Sequence, residues 1–296
     1  MRSGGTPSRS GNAIRASSDR YSFISRECSK LKPYPYGTAT WDCYNVTMAA
    51  NPLSLLKNPI FSPLRIAGWS ILTKVLAERN MAIVEAGQEP FRQRAYDVIR
   101  KTRGETAMVL LDSEAYNIYA AVERSIKVPG DIAELGVFRG GSARLICEVK
   151  GKRDLHLFDT FAGLPKPGEF DPDFREGGFA SSLEDVKKYL APQTGVHFHP
   201  GFFPDSAVGL EALRFSFVHL DVDLCESTRA GLEWFYPRLN PGGLLISHDY
   251  ANAEGVRRAF ESFLADKPEC LIELSGTQAA FTKIGAAGAY DMAANA

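Results

Sequence analysis

From about residue 128 onward the chain alternates two hydrophobic patterns. Short apolar runs at 131–135, 155–158, 196–199, 215–222, 243–247, 271–274 and 279–283 read as strands. Between them, apolar positions recur every three or four residues at 142–150, 182–190, 205–213, 227–239 and 255–264, the spacing of helices with one buried face. Strands joined through helices predict parallel crossovers, and so a doubly wound, mostly parallel, seven-stranded sheet of Rossmann-like α/β type. Only residues 275–278 separate the last two runs. Four residues cannot hold a crossover helix, so this pair predicts a C-terminal antiparallel hairpin.

The N-terminal third is different. Ser113 is placed to cap a helix carrying Tyr116, Ile118, Tyr119, Val122 and Ile126, which stops before Val128-Pro129. Across 64–103, Ile66, Trp69, Ile71, Leu72, Val75 and Leu76, and then Phe91, Ala95, Val98 and Ile99, keep the helical period. Residues 21–65 are interrupted by Pro33, Pro35, Pro52, Pro59 and Pro63 with Tyr34, Tyr36, Trp41 and Tyr44 between them, an arm expected to pack on a surface such as a second copy of the chain. The division expected is a disordered tail at 1–20, an arm and helical cap at 21–110, and the α/β domain at 111–296.

Composition narrows the function classes. With 45% hydrophobic residues and a net charge of −1, the chain can bury a large core and has no overall attraction for nucleic acid or anionic membrane. A small-molecule substrate is the expectation. Residues 1–35 alone are basic, with seven Arg and Lys against Asp19 and Glu27. Cys28, Cys43, Cys147, Cys225 and Cys270 are scattered and form no C-x-x-C pair, which supports neither a disulfide framework nor a zinc knuckle and suggests a reducing, cytoplasmic setting.

The candidate chemistry lies at strand ends, because open α/β sheets bind ligands beyond the carboxyl ends of their strands. The first predicted strand ends in Glu134-Leu135-Gly136-Val137-Phe138-Arg139-Gly140-Gly141-Ser142. Glycines there permit positive φ and close approach of a ligand to the backbone, with a helix N-terminus following. Phe138 breaks the dinucleotide pattern G-x-G-x-x-G, and Glu134 suits a cofactor with a cationic end, so a nicotinamide oxidoreductase is disfavoured. Asp159 follows the second strand, where a carboxylate accepts ribose hydroxyls. Asp221 and Asp249 close two further strands and meet at one mouth, where hard oxygens suit magnesium and a metal-bound hydroxyl becomes a better nucleophile. His248 is open to three roles: ligand, general base or orienting donor. Asp223, two positions past Asp221, is given less weight. Gly177, Gly178, Phe179, Phe202 and Phe203 fall in loops that could cover an adenine, and His156, His197, His199 and His219 carry less weight.

With these residues in hand the chain resembles the macrocin O-methyltransferase family of TylF and MycF type, among the class I methyltransferases whose parallel sheet ends in such a hairpin. The resemblance runs in order over about 108–263 through PGDIAELGVFRGGSA, LFDTFAGLPKP, GGFASSLEDV, GFFPDS, HLDVDLCESTRAGLEWFYPRLNPGG and SHDYANAEGVRRAF. It implies O-methyl transfer from S-adenosylmethionine to a hydroxyl of a sugar or other polyhydroxylated small molecule, assisted by Mg2+ or Mn2+. Glu134, Gly136, Val137, Phe138, Gly140, Gly141 and Ser142 would then hold the amino acid part of the cofactor. Asp159, Thr160, Phe161, Phe179 and Asp221 would hold its nucleoside side, and Asp221, His248 and Asp249 the metal, with Asp221 and His248 catalytic. The chain departs from the family where His248 replaces the first of two consecutive aspartates, and where Cys225 replaces a tyrosine. Two rivals remain: metal-free transfer with His248 as general base, and a non-catalytic binding protein that keeps the fold.

Overall fold

The structure is a computed structural model that describes residues 89–285. The expected tail, the arm and the helix at 64–88 lie outside the described residues. The element order is α1 (Pro90–Glu105), α2 (Asp112–Arg124), β1 (Asp131–Leu135), α3 (Gly141–Val149), β2 (Leu155–Asp159), α4 (Leu183–Leu190), β3 (Val196–Pro200), β4 (Phe215–Leu220), α5 (Cys225–Phe235), β5 (Leu239–Ser247), α6 (Glu254–Leu264), β6 (Ile272–Glu273) and β7 (Ala279–Thr282). One sheet runs β3-β2-β1-β4-β5-β7-β6. The first five strands pair in parallel, and β7 is antiparallel to both β5 and β6.

Alternation along the strands builds two cores. Ile132 and Phe217 face one side of the sheet and pack with Ile99, Ile118, Val122, Leu145 and Ile146 from α1, α2 and α3. Ala133, Leu135, Val218 and Leu220 face the other side and pack with Leu232, Phe235, Val256 and Phe260 from α5 and α6. Every residue of β4 is buried, as expected of a central strand covered on both faces. Because α1 contributes Tyr96 and Ile99 to the first core, packing of the α/β unit begins well before residue 111. Among the described residues no helix is long and apolar enough to cross a membrane.

Two expected elements are corrected. The helix read at 205–213 is only a 3-10 turn at Asp205–Ala207. Gly209, at φ +86°, ends any helical run there. The fourth strand stops at Leu220, so 221–223 is loop and strand alternation does not govern it.

Candidate active site

The strand order reverses between β1 and β4, and the glycine turn and Asp221 both leave the sheet at that switch point. Gly136 is at φ +93°, and a Cβ there would lie 1.8 Å from the Asp221 carbonyl oxygen. Protein backbone alone therefore requires the glycine here: it lets the Asp221 N–H reach Leu135 O at 2.8 Å. Gly140 caps α3 in the left-handed conformation, and a Cβ on Gly141 would press on Met108. The Asp159 carboxylate stiffens this turn. Its Oδ2 accepts the N–H groups of Val137 (2.6 Å) and Phe138 (2.9 Å), and Oδ1 accepts that of Phe161 (2.7 Å), leaving a lone pair on Oδ1. Glu134 does not line the cavity; it is 0% exposed and bound to His219 Nδ1 at 2.9 Å. Burial raises its pKa against the pull of His219, and its Oε2 has no partner among the described residues.

Across the switch point the ends of β4 and β5 bring together acidic groups distant in sequence. His248 Nδ1 lies 3.1 Å from Asp221 Oδ1 and 3.2 Å from Asp249 Oδ2, while Nε2 lies 3.2 Å from Glu114 Oε2. Burial disfavours a charged imidazole, but the three carboxylates outweigh it and lift the His248 pKa far above its ordinary value. The ring in turn holds Asp221 below the usual carboxylate range despite burial. Asp223, given less weight above, belongs to the same group. Burial first, then the charges of Asp221 and Asp249, push its pKa up to about 9. Its loop position at φ +62° is what allows this.

Glu114 was not found from the sequence. It sits in the first turn of α2, 1% exposed, with four hydrogen-bond partners on one carboxylate. Oε1 accepts Thr277 N–H at 2.7 Å and Thr277 Oγ1–H at 2.9 Å, and Oε2 accepts Leu111 N–H at 2.6 Å beside His248. Burial pushes its carboxyl up, yet the bonds from His248, Thr277 and Leu111 win and hold it at about 2. The local signal available was a helix-start glutamate that could reach back to Leu111. Nothing local pointed to His248.

Both halves open onto one cavity of about 480 Å³, within the range of small-molecule sites. Its lining includes Gly136, Phe138 and Ser142 of the turn, Asp159 and Thr160 at the end of β2, and Asp221, Asp223, His248 and Asp249 of the acid cluster. Phe179 and Phe202 stand exposed at 46% and 54%, whereas Phe203 is buried and stacks on Phe235. Phe161, at φ +55°, is buried behind the site. Of the five non-glycine residues at positive φ among the described residues, Phe138, Phe179, Asp223 and Asp249 line the cavity, a concentration of strain of the kind found at functional sites. Asp171 ties its loop to the start of α5 by accepting the N–H groups of Cys225 (2.9 Å) and Gly168 (3.1 Å). Cys225 thus opens α5 rather than facing the acid cluster. His156, His197 and His199 form a separate stack on β2 and β3.

The donors of this site suit the groups that the sequence suggests. The turn offers backbone N–H groups, Asp159 an open lone pair, and the rim aromatic faces, which suit a nucleoside with an amino acid tail. Ligand atoms of Asp221, His248 and Asp249 all lie within 4.8 Å of one another, a set able to hold a divalent cation with two oxygens and one nitrogen.

Residues 58–281 match the family described as Macrocin-O-methyltransferase (TylF). A tetracenomycin-C derivative 4'-O-methyltransferase of Streptomyces olivaceus is 38% identical over 141 residues, 42% of this chain and 54% of the relative. The mycinamicin III 3''-O-methyltransferase of Micromonospora griseorubida is 31% identical over 155 residues, 45% of this chain and 61% of the relative. The chain thus spans between half and two-thirds of the curated relatives it matches. The solved structure of the O-methyltransferase NovP superposes with a TM-score of 0.57 at 26% identity, covering 64% of this chain and 88% of that one. The matched region takes in both the glycine turn and the acid cluster, and the chain belongs to the macrocin-O-methyltransferase family.

Proposed function

We propose that the protein transfers a methyl group from S-adenosylmethionine to a hydroxyl of a sugar or other polyhydroxylated small molecule, with a divalent cation held by Asp221, His248 and Asp249. One observation carries the reading: the glycine turn and the acid cluster line a single cavity. The names of the matched relatives, O-methyltransferases of a tetracenomycin-C derivative bearing a dimethoxyrhamnosyl group and of mycinamicin III, support a glycosylated acceptor.

The cofactor supplies an electrophilic methyl group and the cation lowers the pKa of a hydroxyl bound to it. The chain's own residues do the positioning. The turn from Gly136 to Ser142 holds the amino acid end of the cofactor, and the Asp159 and Thr160 end of β2 receives the ribose. Asp221, kept ionised by His248, accepts a hydrogen bond from the acceptor hydroxyl and draws off its proton, while His248 holds Asp221 and Asp249 in place. Holding donor and acceptor in line supplies much of the remaining barrier reduction. The metal-free alternative with His248 as base fits less well. With no cation bound, both ring nitrogens face carboxylates and hold protons, leaving no lone pair to receive another; a cation bound at Nδ1 would take the place of that proton.

Calorimetric titration with S-adenosylhomocysteine, run with Mg2+, with Mn2+ and with chelator, tests the reading, followed by methylation assays on a panel of glycosides. Micromolar binding and cation-dependent turnover are expected. No binding under any condition overturns the reading.

A further inference from the structure

We propose that Glu114 is a positioning residue of the cation site: by occupying Nε2 of His248 it aims Nδ1 at Asp221 and Asp249, which makes the site select Mn2+, Co2+ or Zn2+ over Mg2+. This rests on the function proposed above and adds the identity of the metal.

The argument starts from donor chemistry. A set of carboxylates alone favours a hard cation such as Mg2+, which takes oxygen and releases its water reluctantly. Replacing one oxygen by an imidazole nitrogen favours later first-row cations, which bind nitrogen more strongly. An imidazole ligates only through a nitrogen that carries no proton, and the proton on the other nitrogen must be held by an acceptor. Glu114 is that acceptor. It lies 3.2 Å from Nε2, is buried, and comes from α2, 134 positions before His248. Its remaining capacity is filled by Thr277 and Leu111, so it cannot swing into the site as a ligand itself. Nδ1 lies 3.1 and 3.2 Å from the two aspartate oxygens, so all three donors border one gap. A carboxylate behind a ligating histidine fixes both its tautomer and its orientation, and losing such a carboxylate typically costs 10–100-fold in metal affinity.

The test titrates the full chain with Mn2+, following the free-ion electron paramagnetic resonance signal, and with Mg2+ by competition. S-adenosylhomocysteine affinity serves as the folding control. Wild type is expected to bind Mn2+ at least about tenfold more tightly than Mg2+. Glu114→Gln should weaken Mn2+ roughly 10–100-fold with S-adenosylhomocysteine binding unchanged. His248→Asp should bring the two cations within a few-fold of each other. In that background, Glu114→Gln should cost no further Mn2+ affinity, because its partner is gone. Three results would overturn the proposal: equal binding of Mg2+ and Mn2+ by wild type, binding of neither, or the same Mn2+ loss from Glu114→Gln with and without His248. If Glu114→Gln loses its folding control, Glu114→Asp, which keeps the charge but draws it back from Nε2, takes its place with the same expected direction. Retained S-adenosylhomocysteine binding in any of these outcomes leaves the methyltransferase reading standing, whereas its absence in wild type sinks that reading alone.

Discussion

The two halves of the cavity are built by opposite means. The half at the ends of β1 and β2 is made of one continuous turn and a single carboxylate, Asp159, that binds its amides. The half at the ends of β4 and β5 gathers Glu114, Asp221, Asp223, His248 and Asp249 from three segments of the chain, and burial together with neighbouring charges sets the ionisation of Glu114, Asp223 and His248. The first half is a shape held by hydrogen bonds and the second is a balance of charge held by the fold. Mutations in the first should act on cofactor affinity and stability. Mutations in the second should act on the metal and on turnover.

Gly136→Ala should abolish that separation, because Gly136 is where the halves touch. A Cβ 1.8 Å from the Asp221 carbonyl, at φ +93°, displaces β1 from the exit of β4. The expected cost is about 4 kcal/mol or more, seen as loss of soluble protein or a collapse of the urea midpoint. A variant of nearly normal stability would mean that the two strand exits are not pressed together.

Asp249→Asn should sharpen it. Asn tolerates the φ of +62° that Ala would not, so the change removes charge without removing the turn. Turnover is expected to fall by about 10³, several kcal/mol of lost stabilisation, while S-adenosylhomocysteine affinity stays within a few-fold. Collapse of cofactor binding instead would move Asp249 into the adenosyl pocket.

The same contrast governs what could be read from the sequence. The turn from Gly136 to Ser142, Asp159 and the terminal hairpin were legible because each is encoded within a few residues. Asp221, His248 and Asp249 were legible because they close strands, and strand ends in this fold share a mouth. Glu114 was not legible: its link to His248 and Thr277 spans more than a hundred residues and leaves no local spacing. Asp223 was misjudged because residues two apart along a strand share a face, so alternation gave no reason to part it from Asp221, and past Leu220 the chain is loop in any case. Gly136 was read for the close approach of a ligand, and the close approach of the Asp221 backbone calls for the same residue.

Asp159→Asn tests the first half with a smaller effect. An amide turns one of its N–H groups toward Val137, Phe138 or Phe161, setting donor against donor where the carboxylate accepted three bonds. A loss of about 1–3 kcal/mol follows, or roughly tenfold or more in S-adenosylhomocysteine affinity, with Mn2+ binding at the acid cluster within twofold. Equal losses at both sites would show that the halves are coupled through the turn.

The smallest effect belongs to a region outside both halves. His199 lies between Phe158, stacked at 4.6 Å, and His156, whose Nδ1 is 3.0 Å from His199 Nε2. Burial first, and then the neighbouring His156 and His197, lower its pKa to about 4. A histidine lowered in the folded state binds its proton more readily when unfolded, so between about pH 6.5 and 4 the unfolded chain holds more protons. Its contribution to stability is complete above pH 6.5 and is lost as the pH falls through that window. His199→Gln keeps a partner for His156 but does not titrate. Urea unfolding at pH 7 and pH 5 should therefore show a smaller acid loss for the variant than for wild type, by a fraction of one proton. Cofactor binding at pH 7 should stay within twofold. An unchanged acid loss would mean that the His156–His199 contact does not control the protonation of this stack, and a large loss of cofactor binding would extend the first half of the cavity into β3.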